Sequence, residues 1–168
     1  LGLIAFLAAC DDGTVITHVD KDTSIELSDL VAMQSHGGIA TEVHGTPFEG
    51  TASDELVNAL RPPASAAQAT RWRMVDIGSV DHGPRMVLHF NPSGPPNSFA
   101  DCRRTGPAET EPPRGVGFSV NMTFCRGTRA EAHGFLQSRK TANADFEDYR
   151  RVMKLLMRNI FSDAGHDR

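Results

Sequence analysis

The chain has 168 residues, 39% of them hydrophobic and 23% charged, and carries a net charge of −4. That suits one globular domain able to bury a real core, and the acidic balance argues against a nucleic-acid partner. The charge is uneven: residues 1–100 hold 5 basic and 12 acidic side chains and residues 101–168 hold 12 and 9, a pattern that reads first as a solvated helix face and second as a basic part facing anionic lipid.

Leu1 to Ala9 form an apolar run closed by Cys10 and then by Asp11 and Asp12. A membrane-spanning helix needs about 20 apolar residues, so this run is less than half of one. It reads as the end of a secretory signal whose positively charged start lies upstream. Leu7-Ala8-Ala9-Cys10 resemble the lipobox of bacterial lipoproteins. The resemblance implies that Cys10 is acylated on sulfur, that residues 1–9 are a signal remnant cut away before it, and that the new amino group gains a further acyl chain. Two or more chains, at about 0.8 kcal/mol per buried CH₂, make such an anchor effectively permanent. The implied address is the cell envelope, lipid-anchored to the inner or the outer membrane and facing the periplasm. The competing reading is a buried cysteine near a ragged N-terminus.

Residues 10–24 are polar and rich in Asp and Thr, and read as a flexible tether. A short helix is expected near Leu27–Gln34, stopped by Gly37. Ile39 to His44 alternate as a strand ended by Gly45 and Pro47. A second short helix follows, capped by Thr51 or Ser53, with Asp54 and Glu55 in its first turn and Pro62 and Pro63 as its stop. Arg71–Ile77 and Arg85–Asn91 read as the arms of a hairpin turned at Asp81-His82-Gly83-Pro84. Val116, Phe118, Val120, Met122 and Phe124 alternate strictly, which implies a sheet with one buried face. Arg126-Gly127-Thr128 turns into a further strand, Arg129 to Phe135. From Asn143 onward, Phe146, Tyr149, Val152, Met153, Leu156 and Ile160 fall on one side of a helix, with Arg150, Arg151, Lys154 and Arg158 opposite. Packing on the sheet ranks ahead of lying on a membrane surface for that helix, because the apolar sheet face needs a cover.

The expected fold is therefore α+β: a mostly antiparallel sheet of four to five strands, one short helix, and one long C-terminal amphipathic helix packed on one face. Residues 25–162 form the single domain and residues 163–168 a tail.

Three cysteines occur, Cys10, Cys102 and Cys125. Lipidation of the first leaves an even pair, which an oxidising periplasm would join as a disulfide. The intervening Gly106, Pro107, Pro112, Pro113 and Gly115 give that loop little regular structure of its own. No close C-x-x-C spacing supports a redox or metal pair.

No nucleophile elbow, phosphate loop, H-E-x-x-H or dinucleotide fingerprint is present. Glu42, His44 and His89 project from their strands away from the core, and if those strands are neighbours they meet beside Ser119 or Asn121. They are metal-ligand types on an open sheet face, weighed against ordinary polar residues in solvent. Phe48 reads as a plug beneath the helix rather than a binding feature, and Trp72 and Tyr149 as packing. With no cofactor implied, the leading expectation is a non-catalytic, lipid-anchored module that binds an envelope protein or helps assembly. The alternative is a small-ligand or metal binder using the sheet face near His44 and His89.

Overall fold

The computed structural model describes residues 13–21, 37–61, 71–79, 83–142 and 146–161. In chain order the elements are β1 (Thr14–Lys21), β2 (Ile39–His44), α1 (Ser53–Ala59), β3 (Trp72–Met74), β4 (Pro84–Phe90), α2 (Ser98–Arg103), β5 (Val116–Arg126), β6 (Arg129–Ala142) and α3 (Phe146–Ile160). Cys10, the helix expected at Leu27–Gln34, the Asp81-His82 turn and the tail from residue 163 lie outside the described residues.

The α+β class stands, but the sheet is mixed and six-stranded rather than mostly antiparallel with four to five strands. Its order is β1-β6-β5-β4-β2-β3. β1, β6, β5 and β4 pair antiparallel, whereas β2 runs parallel to both β4 and β3. The expected Arg71–Asn91 hairpin is what fails. β3 and β4 run the same way with β2 between them, and α1 lies on the crossover from β2 to β3. Alternation reports which face a residue takes, not which strand lies beside it, and parallel neighbours need such a crossover. Only Trp72–Met74 of the expected first arm is strand; Ile39 N–H donates to Arg71 O and Val75 N–H to Thr41 O around it.

The stretch expected as a tether also contains structure. Thr14–Lys21 pairs with β6, from Thr14 against Ser138 to Lys21 against Ala132, with a bulge between Ile16 and His18. Its polar composition is that of an edge strand: Ile16 packs on the core, while Thr17, His18, Val19 and Asp20 are exposed. β6 runs on to Ala142, well past the expected Phe135.

One sheet face carries the core. Ile39, Met86, Leu88, Phe90, Phe118, Val120, Met122, Phe124 and Leu136 meet Leu56 and Val57 of α1 and Tyr149, Val152, Met153, Leu156, Met157 and Ile160 of α3. The apolar stripe of α3 thus packs on the sheet. The N-cap of α1 is Ala52, which offers no side-chain cap, in place of the expected Thr51 or Ser53, although Asp54 and Glu55 do occupy its first turn. Phe48 is buried edge-on against Phe118 and Tyr149, the expected plug. The Tyr149 hydroxyl donates to Leu56 O at 3.3 Å, and full burial pushes its pKa far above the ordinary phenol range.

Several glycines are fixed by close approach, two of them where β5, β6 and α3 meet. A Cβ on Gly134 would stand 2.8 Å from Leu156 Cδ1, so its bare backbone lets α3 ride close over β6. Gly117 sits at a bulge in β5 with φ +75°, where a Cβ would collide with Ser138 O. Gly117→Ala is expected to cost about 1–3 kcal/mol from backbone conformation alone, plus the separation of β5 from β6. Chemical denaturation reads the loss, with Gly115→Ala, which meets nothing within 4 Å at a similar φ of +77°, isolating the backbone part.

Candidate functional site

The second sheet face is where Glu42, His44 and His89 point. The alternation places them correctly, and β2 and β4 are neighbours with His44 opposite His89. The face around them is not open, however. Glu42 is fully buried, and His44 and His89 are 1% and 5% exposed. The cover is the chain from Asn91 to Gly115, including α2, which returns over the strands it has just left.

Three devices hold that cover down. The first is covalent: the Cys102 and Cys125 sulfurs stand 1.98 Å apart, with their Cα atoms 5.5 Å apart, joining α2 to β5 as a disulfide. The second is Asn91, at φ +44°, a left-handed conformation that asparagine tolerates. Its side chain donates to Thr46 O at 3.1 Å and accepts from Ser119 N–H at 3.0 Å, while its backbone bonds Ser119 O and Glu111 N–H. The third is ionic. Asp101 of α2, 1% exposed, accepts from Asn121 Nδ2 at 2.7 Å and faces His89 Nδ1 at 3.0 Å; Arg104 Nε lies 3.6 Å away.

His89 Nε2 faces Glu109 O at 3.2 Å. Both ring nitrogens therefore face oxygen atoms of the covering segment. His44 Nδ1 accepts from Ala108 N–H at 3.1 Å, which fixes its hydrogen on Nε2, 3.8 Å from Glu42 Oε2. Glu42 Oε1 lies 2.9 Å from Arg85 Nε, an ionic contact off the N–H axis since neither atom gains a hydrogen bond from it. The Arg85 guanidinium instead donates to Gly127 O at 2.8 Å and Cys102 O at 2.7 Å.

The proposed metal-ligand set is thus drawn together but engaged elsewhere: His44 Nδ1 and both nitrogens of His89 already face protein atoms. Among the described residues no group of three or more His, Cys, Asp or Glu side chains is arranged to hold a metal ion. The residues that organise this layer, Arg85, Asn91 and Asp101, were not picked out by sequence reasoning. A signal existed for two of them: Arg85 alternates in phase with His89, and Asp101 adjoins a cysteine expected to be bridged.

Two concavities adjoin the layer. A depression of about 440 Å³ is bordered by His89, Asp101, Arg104, Asn97, Ser93 and Glu109. A smaller recess of about 290 Å³ lies at the end of β5 and β6, between Arg114, Val116, Ser119, Gln137 and Arg139.

At the β1 edge of the same face, the His18 and His133 rings lie tilted against each other with centroids 5.0 Å apart. Burial first, then His18, holds the His133 imidazole below its ordinary value of 6.5, against the opposing pull of Asp20 and Asp101. The folded state therefore takes up this proton less readily than the unfolded chain. Stability is complete above 6.5 and falls as pH drops through that value toward the lower folded one. Thermal unfolding followed from about pH 7.5 to about pH 5 should show the decline, and His133→Gln should flatten it.

No helix among the described residues is long and apolar enough to cross a membrane. Comparison with protein-family models, with curated proteins and with solved structures finds no match to this chain.

Proposed function

We propose that this chain is a lipid-anchored bacterial envelope protein acting as a non-catalytic binding or assembly module, moored through Cys10 and facing the periplasm. One observation supports the non-catalytic part: on the second sheet face His44 and His89 are engaged by the covering segment, and Glu42 is enclosed within the sheet. Glu42 faces Arg85 and His44, and His89 lies between Asp101 and Glu109. Groups so engaged make a stiff platform rather than a reactive centre. The address is supported by Leu7-Ala8-Ala9-Cys10 and by the bridged pair inside the folded body, which suits an oxidising compartment.

Mass measurement of the protein extracted from membranes tests the anchor. The expected product begins at Cys10 with acyl mass added, and Cys10→Ser releases the protein to the soluble fraction. An unmodified Cys10 in a soluble product overturns the address. Photo-crosslinkers placed at exposed positions in living cells test the module: discrete protein adducts are expected, and adducts from no position overturn a protein-binding role.

A second reading is favoured by the 440 Å³ depression, a size ordinary for small-ligand sites. Arg104 lines it, and its Nε is buried without a hydrogen bond. A guanidinium there suits a small carboxylate. Acetate or succinate titrated against the Arg104 side-chain NMR signal reads this directly, and no shift at millimolar ligand removes it.

A further inference from the structure

Two described features converge on one end of the sheet. The first is the position of the chain that leads to Cys10. Gly13 O accepts from Arg139 N–H at 3.2 Å, and Thr14 pairs with Ser138. From Gly13 back to Cys10 the chain spans three residues, a reach of roughly 10 Å even when fully extended. Since β1 replaces most of the expected tether, a lipid on Cys10 holds this end of the body within that distance of the headgroups. The turn at Gly127-Thr128 lies at the other end of β5, roughly 30 Å away along the strand.

The second feature is the 290 Å³ recess at that same end. Val116 stands on its rim 68% exposed, the most exposed large apolar side chain among the described residues. Arg114 pairs with Glu111, while the exposed Arg139 side chain makes no hydrogen bond or ion pair among the described residues. Basic groups beside an exposed aliphatic side chain match the boundary between phosphate and glycerol in a phospholipid leaflet.

We propose that this end of the sheet faces the bilayer, and that the recess docks a phospholipid headgroup, its phosphate on Arg139 and Arg114 and its glycerol region against Val116. The proposal rests on reading Cys10 as the anchor. Long-range attraction is not the driving force, because the chain is acidic overall and Asp11 and Asp12 precede the fold. The anchor supplies proximity instead: a short connection gives an effective concentration in the millimolar range, at which a weak arginine–phosphate contact is populated.

The test couples the 168-residue chain through the Cys10 thiol, the one cysteine outside the Cys102–Cys125 bridge, to maleimide lipid in phosphatidylcholine vesicles. The vesicles also carry a gadolinium-chelating lipid. NMR then reads relaxation of each amide by the metal at the surface. Signals of Val116, Gln137 and Arg139 are expected to lose the most intensity and those of Gly127 and Thr128 the least. A uniform loss, or the greatest loss at Gly127, overturns the proposed orientation. Lengthening the connection with a Gly/Ser insert between Asp12 and Gly13 separates docking from mere shortness. The gradient should survive the insert in the parent chain and vanish from it in Arg114→Gln/Arg139→Gln. Its disappearance from the lengthened parent chain overturns the headgroup contact. Because the coupling is chemical, these results do not depend on whether cells acylate Cys10, which the mass measurement decides.

Discussion

Arg85→Leu should lower the unfolding free energy by about 3–5 kcal/mol, the range found when one partner of a buried ion pair is removed. Glu42 would remain at full burial with only His44 Nε2, 3.8 Å off, to face its charge. Gly127 O and Cys102 O would lose donors at the same time. Most of the cost is the stranded carboxylate, so the double variant Glu42→Leu/Arg85→Leu should recover a large part of it. Urea denaturation of the parent, both single variants and the double variant completes the cycle. If the double variant is as unstable as the two single losses added together, the stranded-charge account is wrong and Arg85 acts through its carbonyl bonds alone.

Loss of the Cys102–Cys125 bridge should be comparably severe. The bond closes a loop with a sequence separation of 23 residues, for which the chain-entropy model gives about 3–4 kcal/mol. The loop's middle has no helix or strand between Arg104 and Gly115, so the unfolded chain gains much freedom when it is released. Both sulfurs are buried against Val87, and Ala at both positions adds a small cavity. Cys102→Ala/Cys125→Ala should melt well below the parent, and dithiothreitol should destabilise the parent while leaving the variant unchanged. Equal melting of oxidised parent and variant would remove the bridge from the account of stability.

How much of this was readable from residues alone follows from the physics of each signal. Period-two alternation over Phe118–Phe124 and Met86–Phe90 located strands and assigned faces, because successive side chains point to opposite sides; Val116, expected on the buried face, is turned out by the bulge at Gly117 and is 68% exposed. The helical stripe from Phe146 to Ile160 was equally plain. Neighbour relations were not, since the insertion of β2 between β3 and β4 depends on contacts far apart in sequence. The Thr14–Lys21 strand hid behind polar residues because, among its described side chains, only Ile16 packs on the core. The candidate site was half legible. Glu42, His44 and His89 were brought together as alternation required, with ring centroids of His44 and His89 5.9 Å apart. Their burial was not foreseen, because nothing in the Pro- and Gly-rich stretch from Pro92 to Gly115 signals that it folds back as a lid. The expected cysteine pairing was the one clue to that return.

The pairing of β1 with β6 has a consequence for how the protein is made. Thr14 meets Ser138, 124 residues later, so β1 waits for a strand made much later in synthesis. A growing chain stalled before residue 129 has no place to seat β1, and the sheet closes only once β6 has been made. Until then β1 has no partner strand, and its backbone groups are left to solvent.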